Sequence, residues 1–149
     1  MTAKECSKSN AIIFLKSYRK TLEKIDEAKL MKKAAFALAT SCGSVSNNET
    51  HSSNISDKVG NGVIEIEKWD AVIVELGTKA KMISAEIKSI SEELDSTLSR
   101  IIIMNYINLY SIPIMADKSG YSTRHVRRLL KKAEEEFASA YIVKKSEKT

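Results

Sequence analysis

The chain has 149 residues, of which 43% are hydrophobic, 29% are charged and 6% are aromatic, with five glycines and one proline. This length fits one domain, or a small domain with an appended one; the composition excludes an intrinsically disordered protein, and the scarcity of Gly, Pro and aromatic residues favours an all-α fold. The formal net charge of +5 is compatible with a polyanionic partner without requiring one, and because no signal-type or membrane-spanning apolar run is present we expect a cytoplasmic protein with no membrane partner.

The first predicted element is a long amphipathic helix over residues 10–39. Apolar side chains recur along it at steps near three and four residues, as in the buried stripe of a helix: Phe14, Tyr18, Leu22, Ile25, Met31, Ala35 and Leu38. The stretch that follows, residues 41–62, is rich in Ser, Asn and Gly and has no periodicity, so we expect a flexible loop there.

A second long helix is predicted over residues 63–90. Its apolar residues alternate three- and four-residue steps in the manner of a coiled coil: Ile66, Trp69, Ile73, Leu76, Ala80, Ile83, Ile87 and Ile90. Because one loop joins the two long helices, we expect an antiparallel helical hairpin with Trp69 in its seam rather than stacked on a ligand. Two helices make a thin core, so we also expect these helices to join copies of the chain into a homo-oligomer, most simply a homodimer.

A third helix is predicted to begin at Ser91, which would act as the N-cap. Glu92 and Glu93 would then lie in the first turn, where acids are favoured. This helix is expected to end near residues 108–110.

Two shorter helices are predicted after it, over residues 112–118 and 123–141. The charged tail, residues 144–149, is expected to fray. The predicted organisation is therefore a helical hairpin over residues 1–90 and a second domain over residues 91–143.

Positive charge is concentrated in the second domain. Residues 111–133 contain one acid, Asp117, and six bases: Lys118, Arg124, Arg127, Arg128, Lys131 and Lys132. Residues 63–110 contain eight acids and five bases. A basic segment that follows an acidic one is a stronger indication of a polyanionic partner than the net charge alone.

The same segment has the local features of a helix-turn-helix. Ser111 can cap a short helix, and Pro113 falls in its first turn, where a missing N–H costs little. Ala116 is small where two crossing helices come closest, Gly120 can adopt the left-handed conformation of a sharp turn, and Val126 closes the small core between the helices. The predicted inward positions of the second helix are Val126, Leu129 or Leu130, and Ala133.

Ser122 would cap this second helix, which presents basic residues on its outer face. The N-terminal residues of a recognition helix reach base edges in the major groove of double-stranded DNA, so we expect base contacts from Thr123, Arg124 and Arg127. Phosphate contacts, which orient the protein without reading sequence, are expected from Ser122, His125, Arg128, Lys131 and Lys132. The sequence therefore predicts a DNA-binding transcription regulator.

A different class of function fits the same pattern less well. A basic amphipathic helix also occurs in ordinary helical bundles, where its charges are solvated. In that case the long helices would be the working surface, and the chain would be a helical protein–protein interaction module without DNA binding.

Nothing in the sequence predicts an enzyme, a metal site or a cofactor. Cys6 and Cys42 are far apart and have no metal-ligand spacing, so we interpret them as free thiols. His51 and His125 have no neighbouring pattern typical of nucleophilic chemistry. The adjacent acids at residues 134–136 face different directions on a helix and are expected to be solvated.

Some of these residues also carry a family resemblance. Tyr106-Ile107-Asn108 and residues 111–133, with Gly120-Tyr121-Ser122 at the turn, resemble the small phage-encoded transcription regulators of Gram-positive bacteria. The C-terminus of that family, which includes the RinA and ArpU groups, is similar to region 4 of sigma-70-type factors. The order of a Ser-rich loop, residues 57–61 and a heptad helix also matches the family.

The resemblance implies a late-gene or prophage regulator in a bacterial host cell that binds promoter DNA, with RNA polymerase as a further partner. The chain differs from the family's usual pattern at Pro113 and Ile114, where the family carries acids, and at Ser119, where it carries a large apolar residue. The sequence predicts neither the operator nor the choice between activation and repression.

Overall fold

The structure, a computed structural model, describes the chain path of residues 3–41 and 53–147 and the side chains of residues 8–41 and 59–147. The regular secondary structure in these ranges is entirely helical, which confirms the predicted all-α class. The helices are α1 (Ala3–Thr40), α2 (Ser53–Ser91), α3 (Ser96–Ile102), α4 (Ile112–Ser119) and α5 (Thr123–Glu147), with a π-helical segment, Ile103–Ile107, directly after α3. Residues 42–52 of the predicted loop, including Cys42 and His51, and the side chain of Cys6 lie outside the described parts.

The chain forms two compact units. The head unit comprises Met1–Lys20 and Ala80–Thr149, and the hairpin unit comprises Thr21–Lys79. The sequence placed the division near residue 91 instead. The start of α1 and the end of α2 belong with the C-terminal helices because their apolar side chains are part of the same core. Within the described ranges, no helix combines the length and apolar character that a bilayer crossing requires.

The head unit has one continuous apolar core. Its fully buried side chains come from every helix of the unit: Ala11, Leu15, Ile87, Ile102, Met115, Val126, Ala133 and Phe137. Phe14 of α1 stacks on Tyr141 of α5 with ring centroids 5.1 Å apart. Burying one large apolar side chain stabilises a fold by about 1.5–3 kcal/mol, so this core holds α5 firmly in the head unit.

The hairpin unit consists of two antiparallel helical segments. Gly62 of α2 lies against Ala39 of α1, so closely that a Cβ atom at Gly62 would come within 2.6 Å of the Ala39 Cβ atom. Farther from this end, Lys32 Nζ lies 2.6 Å from Asp70 Oδ1. The residue of α1 that faces α2 has a lower number as the residue number in α2 increases, so the two segments run antiparallel. Trp69 is half-buried, and its Nε1–H has no hydrogen-bond partner within the described residues.

The predicted flexible loop was too long, because residues 53–62 are the beginning of α2. Gly60 and Gly62 lower the helix propensity of this stretch, which is why the sequence favoured a loop. Tertiary packing of Gly62 against Ala39 outweighs that propensity, since most helix stability in proteins comes from packing.

The predicted start of the third helix at Ser91 was wrong. Ser91 is the last residue of α2; it is fully buried, and its hydroxyl donates to Ile87 O at 2.7 Å. Asp95 caps α3 instead, because its Oδ2 accepts a hydrogen bond from the Thr97 N–H at 3.3 Å. Glu92 and Glu93 therefore lie in the turn before the cap rather than in the first turn of a helix.

The π-helical segment ends at Ile107, and Leu109, two residues later, has a positive φ of 56°. The Tyr110 N–H then donates to Met104 O at 2.9 Å, which closes the segment in the way that a left-handed residue closes a helix. The chain then enters α4.

Helix α5 is longer than the sequence predicted. It continues to Glu147, so residues 144–147 of the predicted frayed tail are helical, and residues 148–149 lie outside the described residues. Lys144 fixes this end because its Nζ lies 3.2 Å from Ser89 O and 3.0 Å from Glu93 Oε1.

Candidate nucleic-acid interface

Helix α4 begins at Ile112, as the sequence predicted from Ser111 and Pro113. Ser111 occupies the N-cap position with extended backbone angles, φ −70° and ψ 158°, and Pro113 lies within the first turn. The Ser111 hydroxyl makes no capping hydrogen bond. Met115 and Ala116 are buried against the core, and the Ser119 hydroxyl donates to Met115 O at 2.6 Å. A polar residue at position 119 is therefore satisfied by its own helix.

The turn between α4 and α5 depends on Gly120. Its φ of 72° and ψ of 16° are left-handed, a conformation that costs an L-residue with a side chain roughly 1–2 kcal/mol. The N–H groups of Gly120 and Tyr121 both donate to Ala116 O, at 2.9 and 3.2 Å. A Cβ atom at Gly120 would meet nothing within 4 Å, so the glycine is needed for backbone conformation and not for space.

Helix α5 begins with a side-chain cap. The His125 N–H donates to Ser122 Oγ at 3.2 Å, and the Val126 N–H donates to Ser122 O at 2.9 Å. Val126 and Ala133 are fully buried. Both residues predicted as alternatives for an inward position, Leu129 and Leu130, are half-buried and pack against the core.

The outer face of α5 is basic and exposed. The exposed residues of its first three turns include all seven predicted DNA contacts on this helix: Thr123, Arg124, His125, Arg127, Arg128, Lys131 and Lys132. In the part of the chain that the structure describes, no acid lies within 4.0 Å of the guanidinium groups of Arg124, Arg127 and Arg128. Charges that no internal acid neutralises are available to an external anion.

The acids that follow on α5 are engaged with other groups. Glu134 accepts a hydrogen bond from the Tyr106 hydroxyl at 2.6 Å, so this half-buried carboxylate is not simply solvated as predicted. Glu135 lies 2.9 Å from Lys8 Nζ, and this hydrogen bond lowers the pKa of the Glu135 carboxyl. Glu136 lies 3.7 Å from Lys132 Nζ. Among the described residues, Lys132 is thus the predicted contact residue with an acid within 4.0 Å.

Two neighbouring features were not predicted. The ring of Tyr121 meets that of His125 edge-on at a centroid distance of 4.9 Å, and their four-residue spacing across the helix start is the signal that could have indicated it. The Arg100 Nη2 donates to Lys118 O at 3.3 Å. No sequence signal links two residues that are 18 positions apart on different helices.

Residues suited to metal binding do not come together in the described ranges, where no group of three or more His, Cys, Asp or Glu side chains has a geometry suited to an ion. The arrangement of α4, the Gly120 turn and α5 instead places an exposed row of cations at the start of a helix that is anchored in the core. Comparison of the chain with protein-family models, with curated proteins and with solved structures gave no match.

Proposed function

We propose that the chain is a sequence-specific DNA-binding regulator of transcription in the bacterial cytoplasm, with α5 as its recognition helix. The observation that carries the proposal is the exposed face of Arg124, Arg127 and Arg128, which has no acidic partner among the described residues and begins directly after the left-handed turn at Gly120. A helix-turn-helix places this part of its second helix in the major groove of double-stranded DNA.

The division of roles follows from position along the helix. Thr123, Arg124 and Arg127 lie in the first two turns, from which side chains reach base edges. The residues that would grip phosphates are Ser122, His125, Arg128, Lys131 and Lys132. This reading assigns the chain no enzymatic activity, and it includes no metal or cofactor.

The family resemblance extends the proposal to a phage or prophage late-gene regulator similar to the RinA and ArpU groups. RNA polymerase is then a further partner. Runoff transcription from a bound promoter, with and without the protein, gives the direction of regulation.

DNA binding is tested by gel shift or fluorescence anisotropy of the full chain on promoter DNA. Each good bidentate base contact is worth about 1–3 kcal/mol, so Arg124→Ala with Arg127→Ala should weaken binding at least ~30-fold and leave helicity unchanged. The matched control is Lys20→Ala with Lys24→Ala, which removes two exposed charges one helical turn apart on α1. Unchanged binding by the arginine variant would sink the proposal.

We also propose that the hairpin unit joins two copies of the chain. The support is the set of large hydrophobic side chains that are exposed on this unit, which a second copy of the chain would cover. The exposed large hydrophobic residues of this unit are Leu30, Met31, Phe36, Leu38, Val59, Val63, Ile64 and Val74. A dimer would present two recognition helices, as operators with two half-sites require.

Sedimentation velocity tests the oligomer. The wild type should sediment as a dimer at micromolar concentration, and Leu30→Gln with Val74→Gln should shift it toward a monomer, because both side chains are 68% exposed and contribute little to the fold of one copy. Selection of bound DNA from a random library gives an independent readout, since a palindromic site implies a two-fold dimer. A monomeric wild type bound to a single asymmetric site would contradict the dimer.

The interaction-module alternative has the same exposed apolar surface in its favour, and salt separates it from the proposal. DNA binding that depends on phosphate contacts weakens by orders of magnitude between about 50 and about 200 mM salt. A complex held by apolar surface responds little to the same change. The interaction module would be favoured if the wild type bound a protein partner with an affinity that does not change with salt concentration and bound no DNA.

A further inference from the structure

We propose that Arg100 and Lys118 form a second phosphate-binding site, outside the recognition helix, that holds the sugar-phosphate backbone of the same DNA. This inference rests on the proposed function and extends it to residues in the helix before the helix-turn-helix and at the end of α4. Neither residue is in the set of DNA contacts that the sequence predicts.

The two cations are brought together by a direct contact. The Arg100 Nη2 donates to Lys118 O at 3.3 Å, at the C-terminal end of α4, and both side chains are exposed. This hydrogen bond uses one of the five N–H donors of the guanidinium, so the planar group is oriented while most of its donors stay available. A pre-oriented guanidinium loses less side-chain freedom when it binds an anion.

The surroundings match the chemistry of a phosphate group. Arg100 and Lys118 line one shallow groove together with the polar residues Ser96, Ser99 and Asn108. The remaining described side chains that line it are apolar or aromatic, and none is acidic. Cations, hydroxyls and amides are the groups that proteins use to contact DNA phosphates.

The patch is continuous with the start of the recognition helix. Arg100 also lines a second groove with Ser119 and Tyr121, and the Tyr121 ring contacts that of His125 in the first turn of α5. In a helix-turn-helix the first helix crosses the DNA backbone while the second enters the groove. Cations at the C-terminal end of α4, next to this turn, are therefore suited to contact that backbone.

Charge balance supports the same assignment. In the described part of the chain no acid lies within 4.0 Å of Arg100 or Lys118. The Lys118 Nζ lies 5.1 Å from the centroid of the Tyr110 ring, a contact that leaves its positive charge unneutralised.

The test is the salt dependence of DNA binding by the full chain, measured by fluorescence anisotropy on a duplex of about three helical turns between about 50 and about 200 mM salt. The slope of log K against log salt concentration is negative, and each lost phosphate contact reduces its magnitude by about 1. Arg100→Ala and Lys118→Ala should each do so, and the double variant should reduce the magnitude by about 2. Arg100→Lys keeps the charge and should retain most of the slope.

The matched control is Lys88→Ala, which removes one exposed charge from the same unit. Lys88 adjoins Ser89, which contacts Lys144, and Lys144 lies 20 residues beyond Arg124 on α5, about 30 Å along the helix. The Lys88→Ala variant should have the same salt slope as the wild type.

The outcomes are distinguishable. If Arg100 serves only to donate to the Lys118 carbonyl, Arg100→Ala lowers thermal stability but leaves the salt slope unchanged. Lys118→Ala then changes neither the stability nor the slope. That result overturns the phosphate site and leaves DNA binding intact. The same unchanged slopes would result if the groove held an acidic protein segment. If the wild type binds no DNA, both proposals fail. Should Arg100→Ala not fold, Lys118→Ala and Arg100→Lys give the same decision.

Discussion

The Tyr106 hydroxyl donates a hydrogen bond of 2.6 Å to Glu134 Oε1 and so joins the π-helical segment to the middle of α5. Tyr106 is buried, and this burial, together with the hydrogen bond to Glu134 and the charge of that carboxylate, raises the pKa of the Tyr106 hydroxyl well above its ordinary value of 10.0. The contact therefore requires the neutral phenol.

Replacing Tyr106 with Phe should lower the free energy of unfolding by about 1–2 kcal/mol at neutral pH, because Glu134 loses a donor in a partly buried place. Urea denaturation of the full chain measures the change. Tyr121→Phe is the control, since Tyr121 is exposed and should tolerate the loss of its hydroxyl. Equal stabilities of the Tyr106 variant and the wild type would show that the hydrogen bond contributes nothing.

The same contact predicts a loss of stability in alkali. Because the folded pKa of Tyr106 lies above the unfolded value of 10.0, the folded chain holds this proton more tightly. The resulting contribution is complete below the unfolded pKa and declines as the pH rises above it toward the folded pKa. Wild type should therefore lose stability above pH 10.0 faster than Tyr106→Phe does. Denaturation of both chains across this range gives the difference, and a difference that stays constant with pH would contradict the expectation.

The two serine caps of the helix-turn-helix should respond differently to alanine. Ser122 accepts a hydrogen bond from the His125 N–H, whereas Ser111 makes no side-chain capping bond. Loss of a functioning N-cap typically costs about 1 kcal/mol, so Ser122→Ala should lower the unfolding midpoint measurably and Ser111→Ala should change it much less. Equal effects would mean that the Ser122 hydrogen bond is not what stabilises the start of α5.

Two glycines of α2 should have opposite effects when changed to alanine. A Cβ atom at Gly62 would lie 2.6 Å from that of Ala39, whereas one at Gly77 would meet nothing within 4 Å. Gly62→Ala should therefore destabilise the chain by about 1–3 kcal/mol through overpacking. Gly77→Ala should stabilise it by up to ~1 kcal/mol through higher helix propensity.

Thermal unfolding measures both glycine variants. The cause of the Gly62 effect is checked with Ala39→Gly, because removing the Ala39 methyl group should make Gly62→Ala less costly in a double-mutant cycle. Additive effects of the two changes would show that the clash is not the reason.

The helical periodicity of the sequence predicted the long helices because their apolar residues recur at three- and four-residue steps, although Met31 and Leu38 of the predicted buried stripe are exposed. It did not predict that Ala11 and Leu15 lie in the core of the head unit, since an apolar stripe does not specify its partner. The start of α2 was missed for a related reason: Gly60 and Gly62 indicate a loop until the neighbouring Ala39 is known.

The turn of the candidate interface was predictable because each of its signals is local. Gly120, Ser122 and Val126 act through atoms only a few residues away, so their chemistry can be read from the sequence. Arg100 could not be placed beside Lys118 in the same way, because only the packing of separate helices brings them together. The misplaced cap at Ser91 has a physical explanation as well, since its hydroxyl bonds within α2 while Asp95 has the required geometry.

The exposed and the fully buried residues of α5 lie on different sides of the helix, so substitutions of the exposed residues need not disturb the core. Arg124 and Arg127 are exposed, so substitutions there are expected to alter stability by no more than about 0.5 kcal/mol. Val126 and Phe137 on the opposite side are fully buried and fix the orientation of the helix. A new surface preference can therefore arise on this scaffold through a few outward substitutions, whereas moving the whole of α5 to another protein would require moving its core as well.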